Sequence, residues 1–250
     1  MELSKIVSFL DKYLEIEKFN DSSNNGLQVE GVKEIDKIAF AVDACFETFE
    51  KAAKINANLI VVHHGLIWGG IDYVRGILFR RLKFLIENGI SLYAAHLPLD
   101  AHPEVGNNIM LLKMLNLKPK EPFGEYKGIK IGYIGEFDEP KLFDEIVNTV
   151  EAKLNVKAKV LDFGDKGIRR VAAVSGKGTF SLNEAIKNDV DLLITGEAEH
   201  EAYHIAKDGK INIIFAGHYT TETLGIKALM GVIEQKLDVD VEFIDTPTGF

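Results

Sequence analysis

The chain has 250 residues, enough for one large domain or two smaller ones with substantial cores. Its 46% hydrophobic and 27% charged residues are the balance of a soluble globular protein, and no apolar run approaches the roughly 20 residues a bilayer span needs. A net charge of −9, from 29 basic and 38 acidic side chains, disfavours a broadly basic nucleic-acid surface, and a single cysteine, Cys45, excludes an internal disulfide and a cysteine-based zinc site.

The opening MELSKIVSFLDKYLEIEKF is charged throughout and lacks a signal-peptide pattern, so it reads as an amphipathic helix over 2–17 of a cytoplasmic protein. DSSNNGLQVEG at 21–31 is turn-forming and reads as a join to the first strand. Strands follow at 36–42, 58–62 and 90–95, with helices at 46–55, 75–88 and 104–116. LKPKEPFGEYKG at 117–128 is rich in turn residues. Beyond it, strands at 129–136, 157–162, 169–175, 191–195, 211–216 and 240–245 alternate with helices at 140–153, 180–188, 198–208 and 220–236. Such alternation predicts an α/β fold with largely parallel sheet covered by helices.

The chain also echoes itself. KIAFAVDACFETFEKAAKINANLIVVHHG, from Lys37, runs strand, helix, strand and polar tip, and RRVAAVSGKGTFSLNEAIKNDVDLLITGE, from Arg169, does the same. Each is followed by a helix and a strand ending in histidine, His96 in one and His218 in the other. Two similar α/β domains are therefore expected, over 1–122 and 123–250, with elements near 217–250 able to pack back on the first.

Open parallel sheets gather functional groups at the C-terminal ends of their strands. Three predicted strands end in such groups: His63 and His64; His96 with Asp100 and His102 close behind; and His218 with Glu222. Neighbours on a strand point to opposite faces, so adjacent histidines should not share a task. Gly65 ends that strand, and a twist there can bring both imidazoles to one cavity, each serving a different ion. A helix starting near Tyr219 sets His218 and Glu222 one turn apart on one side. Asp100 follows Pro98 and belongs on a rigid loop. A lone histidine at a strand end is more often a hydrogen-bonded core or surface group; the recurrence at three tips points to metal ligation.

Other stretches read more plainly. His200 and His204, beside Glu197 and Glu201, form a polar helix face, although Glu197 follows the strand tip LLITG and could reach the cavity. SGKGTF at 175–180 lacks the Walker A spacing and reads as a turn before a helix capped by Thr179 or Ser181, with phosphate binding as its sharper alternative. Trp68 and Phe79, near the first tip, read as core, with a lid as the alternative. The basic clusters Arg75, Arg80, Arg81, Lys83 and Lys166, Arg169, Arg170 read as solvated surface.

NNGLQVEG at 24–31, VVHHGLIW at 61–68, AAHLPLDAHPEVGNN at 94–108, ITGEAEH at 194–200 and AGHYTTETLGIKAL at 216–229 resemble the NIF-three-like family, in its order and over nearly the whole chain. Its members are often labelled homologues of a type-two GTP cyclohydrolase I. The resemblance implies two interlocked α/β domains with a dinuclear metal site in the cleft between them, and a homohexamer, a trimer of dimers forming a toroid. It implies His63, His64, Asp100, His218 and Glu222 as ligands, Glu222 bridging, with His96 behind them orienting a ligand or the substrate. Mixed imidazole and carboxylate ligation suits two divalent ions: zinc, iron, manganese or cobalt.

The reading that follows is a metal-dependent hydrolase of a nucleotide or phosphorylated heterocycle, GTP cyclohydrolase-like, using water bound by the ions, with His96 and Glu197 as proton carriers. The alternative is a non-catalytic regulatory or nucleic-acid-binding toroid with structural or sensory metals. The arginine cluster at 75–83 favours that alternative and the acidic total opposes it. Metal delivery, with readily exchanged ions, is a third reading. No membrane partner is expected.

Overall fold

Apolar runs bounded by turn residues set the pattern, and the computed structural model, which describes all 250 residues, follows it closely. In chain order the elements are α1 (Leu3–Leu14), β1 (Gly26–Val29), β2 (Lys37–Asp43), α2 (Phe46–Lys54), β3 (Leu59–His64), α3 (Gly76–Glu87), β4 (Ser91–Ala94), α4 (Leu97–Asp100) and α5 (Asn107–Met114). There follow β5 (Lys118–Tyr126), β6 (Ile129–Leu142), α6 (Phe143–Leu154), β7 (Lys159–Asp162), β8 (Gly167–Val174), α7 (Leu182–Lys187) and β9 (Leu192–Thr195). The last are α8 (His200–Gly209), β10 (Asn212–Phe215), α9 (His218–Lys236) and β11 (Asp240–Phe243). The chain divides into two units: Met1–Leu99 with Ile226–Thr246, and Asp100–Gly225 with Pro247–Phe250. No helix is long and apolar enough to cross a membrane.

The first unit holds a five-stranded sheet in the order β1-β4-β3-β2-β11, parallel except for β1. Successive side chains alternate faces, so Ala39, Ala41, Ile60, Val62 and Ala94 pack on Phe49 and Ala52 of α2 and Leu85 of α3. On the other face the Tyr93 hydroxyl donates to Asp11 of α1 at 2.8 Å. With both faces covered, β2 and β3 read as continuous apolar runs rather than alternating ones.

The second unit holds a six-stranded sheet in the order β5-β6-β8-β9-β10-β7. Only β8, β9 and β10 are parallel, so the fold is mixed α/β rather than largely parallel. The reason lies in 117–128, which is mostly strand. Lys127 and Gly128 both take positive φ, 50° and 83°, and close a tight hairpin between β5 and β6. Pro119 and Pro122 are tolerated because β5 lies at the sheet edge. Leu111 and Leu112 of α5 and Ile146 and Val150 of α6 cover one face of β8 and β9. Each unit thus contains a β-α-β-α-β run, β2 to β4 and β8 to β10, which is the echo seen in the sequence.

The loop at 21–31 is more than a join, since it contains β1 and fixes the turn after β3. Gln28 Oε1 accepts the Leu66 and Ile67 N–H groups at 2.7 and 3.1 Å, and its amide donates to the Asn24 carbonyl at 2.7 Å. Gly65 is required beneath this amide: an added Cβ would lie 2.4 Å from Gln28 Nε2 and 2.6 Å from Ala94 Cβ. Gly65→Ala is therefore expected to lower unfolding stability by about 1–3 kcal/mol in chemical denaturation, because the Ala94 side cannot yield as a flexible chain end could.

Candidate metal centre

The first unit brings three histidines together at the C-terminal ends of β3 and β4. The donor atoms of His63, His64 and His96 all lie within 4.8 Å of one another. Their ring centroids are 4.6 Å apart for His63 and His64, and 5.1 and 5.7 Å from these to His96. His63 is fully buried, whereas His64, next along the pleat, is partly open.

Each ring is held at Nδ1 by an oxygen. His63 Nδ1 sits 3.0 Å from the Ala95 carbonyl, His64 Nδ1 2.8 Å from Asp43 Oδ1, and His96 Nδ1 3.0 Å from both oxygens of Asp21. An oxygen at Nδ1 fixes the proton there and turns the Nε2 lone pair the other way, the arrangement metal-bound imidazoles use. Asp21 is almost wholly buried, which works against its charge. The His96 ring, the Asn25 amide and the Leu97 N–H more than offset burial and hold its carboxyl well below the usual range. The indole of Trp68 stands edge-on to His96 at 5.0 Å and remains partly exposed, so this side chain is not core. Phe79 is likewise exposed.

The second unit carries its own set. α9 begins at His218, and Glu222, one turn on, places Oε1 3.2 Å from His218 Nε2. Glu197, from the loop after β9, holds His218 Nδ1 at 2.6 Å, so the fourth ring is anchored as the other three are. Burial opposes protonation of His218, but the carboxylates of Glu222 and Glu197 prevail and push its pKa up to about 9. Asp100 ends the one-turn helix α4 rather than lying on a loop, and it is buried. Its Oδ1 accepts from Asn107 Nδ2 at 2.9 Å and Ser175 Oγ at 3.0 Å.

The SGKGTF loop serves this set by clearance. A Cβ at Gly176 would fall 2.3 Å from Glu222 Oε1 and 3.1 Å from His218 Nε2. Three of the loop's amides are already used within the chain: Ser175 N–H donates to Asn108, Gly176 to Thr221 and Gly178 to Thr195. The loop does not supply a cap for α7; the Thr179 hydroxyl donates to Glu199 and that of Ser181 to the Gly178 carbonyl.

Two other histidine features drop out. His102 is buried and accepts the Glu104 and Val105 N–H groups at Nδ1, which makes it a turn-former. HEAYH at 200–204 matches the helical zinc-protease pattern in letters, yet neither His200 nor His204 belongs to any gathered donor group. A groove of about 1050 Å³ along α1 and β1 is lined by no histidine.

Residues 1–249 match the family model described as Duf34/NIF3 (NGG1p interacting factor 3). The chain belongs to this family. Among its NIF3 relatives, a protein of Pyrococcus horikoshii named GTP cyclohydrolase 1 type 2 homolog is 57% identical over the full length of both chains. The solved structure of TTHA1606 from Thermus thermophilus is 39% identical with a TM-score of 0.90, and that of protein ybgI is 34% identical with a TM-score of 0.94, each over the whole of both chains. NIF3 membership and the donor chemistry agree that this chain carries candidate metal ligands.

Asp21 and Asp43 escape a reading of the sequence alone. Asp43 had a usable signal, since it stands at the end of β2 in register with His64. Asp21 had none, because its partner lies 75 positions away. Asp21→Ala strips the His96 ring, the Asn25 amide and the Leu97 N–H of their acceptor at once, and a loss of about 3 kcal/mol of unfolding stability is expected. Asp21→Asn keeps one acceptor oxygen and should cost about 1 kcal/mol in the same denaturation experiment.

Proposed function

We propose that His63, His64 and His96, together with Asp100, His218 and Glu222, act as one dinuclear site. His63, His64, Asp100, His218 and Glu222 would hold two divalent ions (zinc, iron, manganese or cobalt). The observation that carries this reading is the shared anchoring of four imidazoles at Nδ1 by oxygen. Connectivity supports it as well, since His96 and Asp100 are separated only by the single turn of α4.

The activity we assign is hydrolysis of a nucleotide or related phosphorylated heterocycle, in keeping with the cyclohydrolase name its relatives carry. The ions, when bound, would supply water acidified towards neutrality and a Lewis-acid seat for developing charge. The protein's part is orientation and proton handling. Asp21 pins His96 Nδ1, so Nε2 is the atom through which that ring exchanges a proton. Glu197 Oε1 shares the His218 Nδ1 proton at 2.6 Å, and its partial exposure gives that proton a route to solvent. Elemental analysis of the purified protein is expected to find two equivalents of metal, fewer in His63→Ala and Glu222→Ala. Turnover of GTP and a nucleotide panel should fall at least about 100-fold in the same variants; undiminished rates would refute the hydrolase.

We further propose a homohexamer, a trimer of dimers. Residues 68–86 expose Trp68, Ile71, Tyr73, Val74, Ile77, Phe79 and Ile86, and only Leu85 of α3 is buried. An apolar stretch of this kind is the mark of a covered surface. Arg75, Arg80 and Lys83 on the same stretch keep a regulatory, nucleic-acid-binding reading in play. Joint Tyr73→Glu and Ile77→Glu substitution should shift the light-scattering mass to smaller species with the circular dichroism unchanged. A hexamer that persists removes this surface from the assembly, and steeply salt-dependent DNA or RNA binding lost in Arg80→Glu would favour the alternative.

A further inference from the structure

A second cavity, about 500 Å³, lies wholly in the second unit at the C-terminal edge of its parallel strands. Its floor is apolar and follows from register. Lys159 of β7 pairs with Phe215 of β10, and Leu161, two residues on, shares their sheet face. Phe215 and Leu161 are buried beneath it. One wall is the ring of Tyr203 on α8, braced edge-on by Phe163 at 5.2 Å and itself partly exposed.

The rim has one sign of unmet chemistry. Lys159, His200 and His204 line it, and none of the three forms an ion pair within the chain. The one carboxylate on the rim, Glu199, is already engaged: Lys177 Nζ stands 3.2 Å from it and the Thr179 hydroxyl donates to it. A ligand entering here meets a flat apolar seat and three groups able to offer N–H to an anion. The volume falls in the range of small-molecule sites. The wall residue Glu199 is two positions from Glu197, which holds His218, so one loop after β9 borders both places.

We propose that this cavity binds a nucleotide, its base against Tyr203, Phe215 and Leu161 and its phosphate on Lys159, His200 and His204. As the seat of a substrate it rests on the hydrolase reading; as a binding site it is tested apart from it. The probe is GMP, titrated calorimetrically into the full-length protein as purified and again in EDTA, beside guanosine and inorganic phosphate. GMP should bind saturably and equally in both buffers, and more tightly than either half-ligand. Tyr203→Ala and Lys159→Gln, both at exposed positions, should each weaken it about tenfold, and Tyr203→Phe should restore it. The assignment is overturned by no saturation up to about 5 mM GMP, by affinity that EDTA abolishes, by phosphate binding as tightly as GMP, or by variants within about twofold of the parent. Absence of turnover with GMP binding intact would sink the hydrolase and leave the pocket standing.

Discussion

An imidazole whose Nδ1 proton is fixed by an oxygen turns its Nε2 lone pair outward, and in this protein those oxygens stand behind the rings. The Ala95 carbonyl, Asp43, Asp21 and Glu197 each hold an Nδ1. None of these acceptors is near in sequence to the ring it holds; the separations run from 21 to 75 positions. The fold is therefore a device for delivering acceptors. Parallel pairing of β2 with β3 puts Asp43 against His64, and the loop that carries Asp21 is drawn across the end of β4.

The same logic accounts for much that looks decorative in the sequence. Asn107 and Asn108 hold Asp100, Gly225, Ser175 and Ile131 in one hydrogen-bonded knot. Glycines at 65 and 176 leave room for side chains that the site needs close by. Polar groups buried this deeply are tolerable because they are satisfied by one another, and a half-made version would be worse than an apolar core.

What could be read from the residues tracks how local the cause was. β2, β3 and β9 announce themselves as apolar runs because burial on both faces needs no partner identity to be recognised. β1 and β5 were hidden by glycine, proline and charge, which edge strands tolerate. The strand-end histidines were visible as a pattern. Asp21 was not, since an acid in a turn-forming loop looks the same whether or not a ring 75 positions on will need it. Trp68 and Phe79 look like core because large apolar residues usually are, and only the surrounding fold reveals that this chain covers each of them in part.

In the first sheet β11 lies parallel beside β2, and Lys37 meets Glu242 across 205 positions. Loop closure over that distance is entropically slow, and it cannot begin until residue 243 has emerged from the ribosome. The N-terminal sheet, first to be synthesised, is thus among the last to be sealed, and during translation the flank of β2 stands open to any chaperone or neighbouring strand that reaches it.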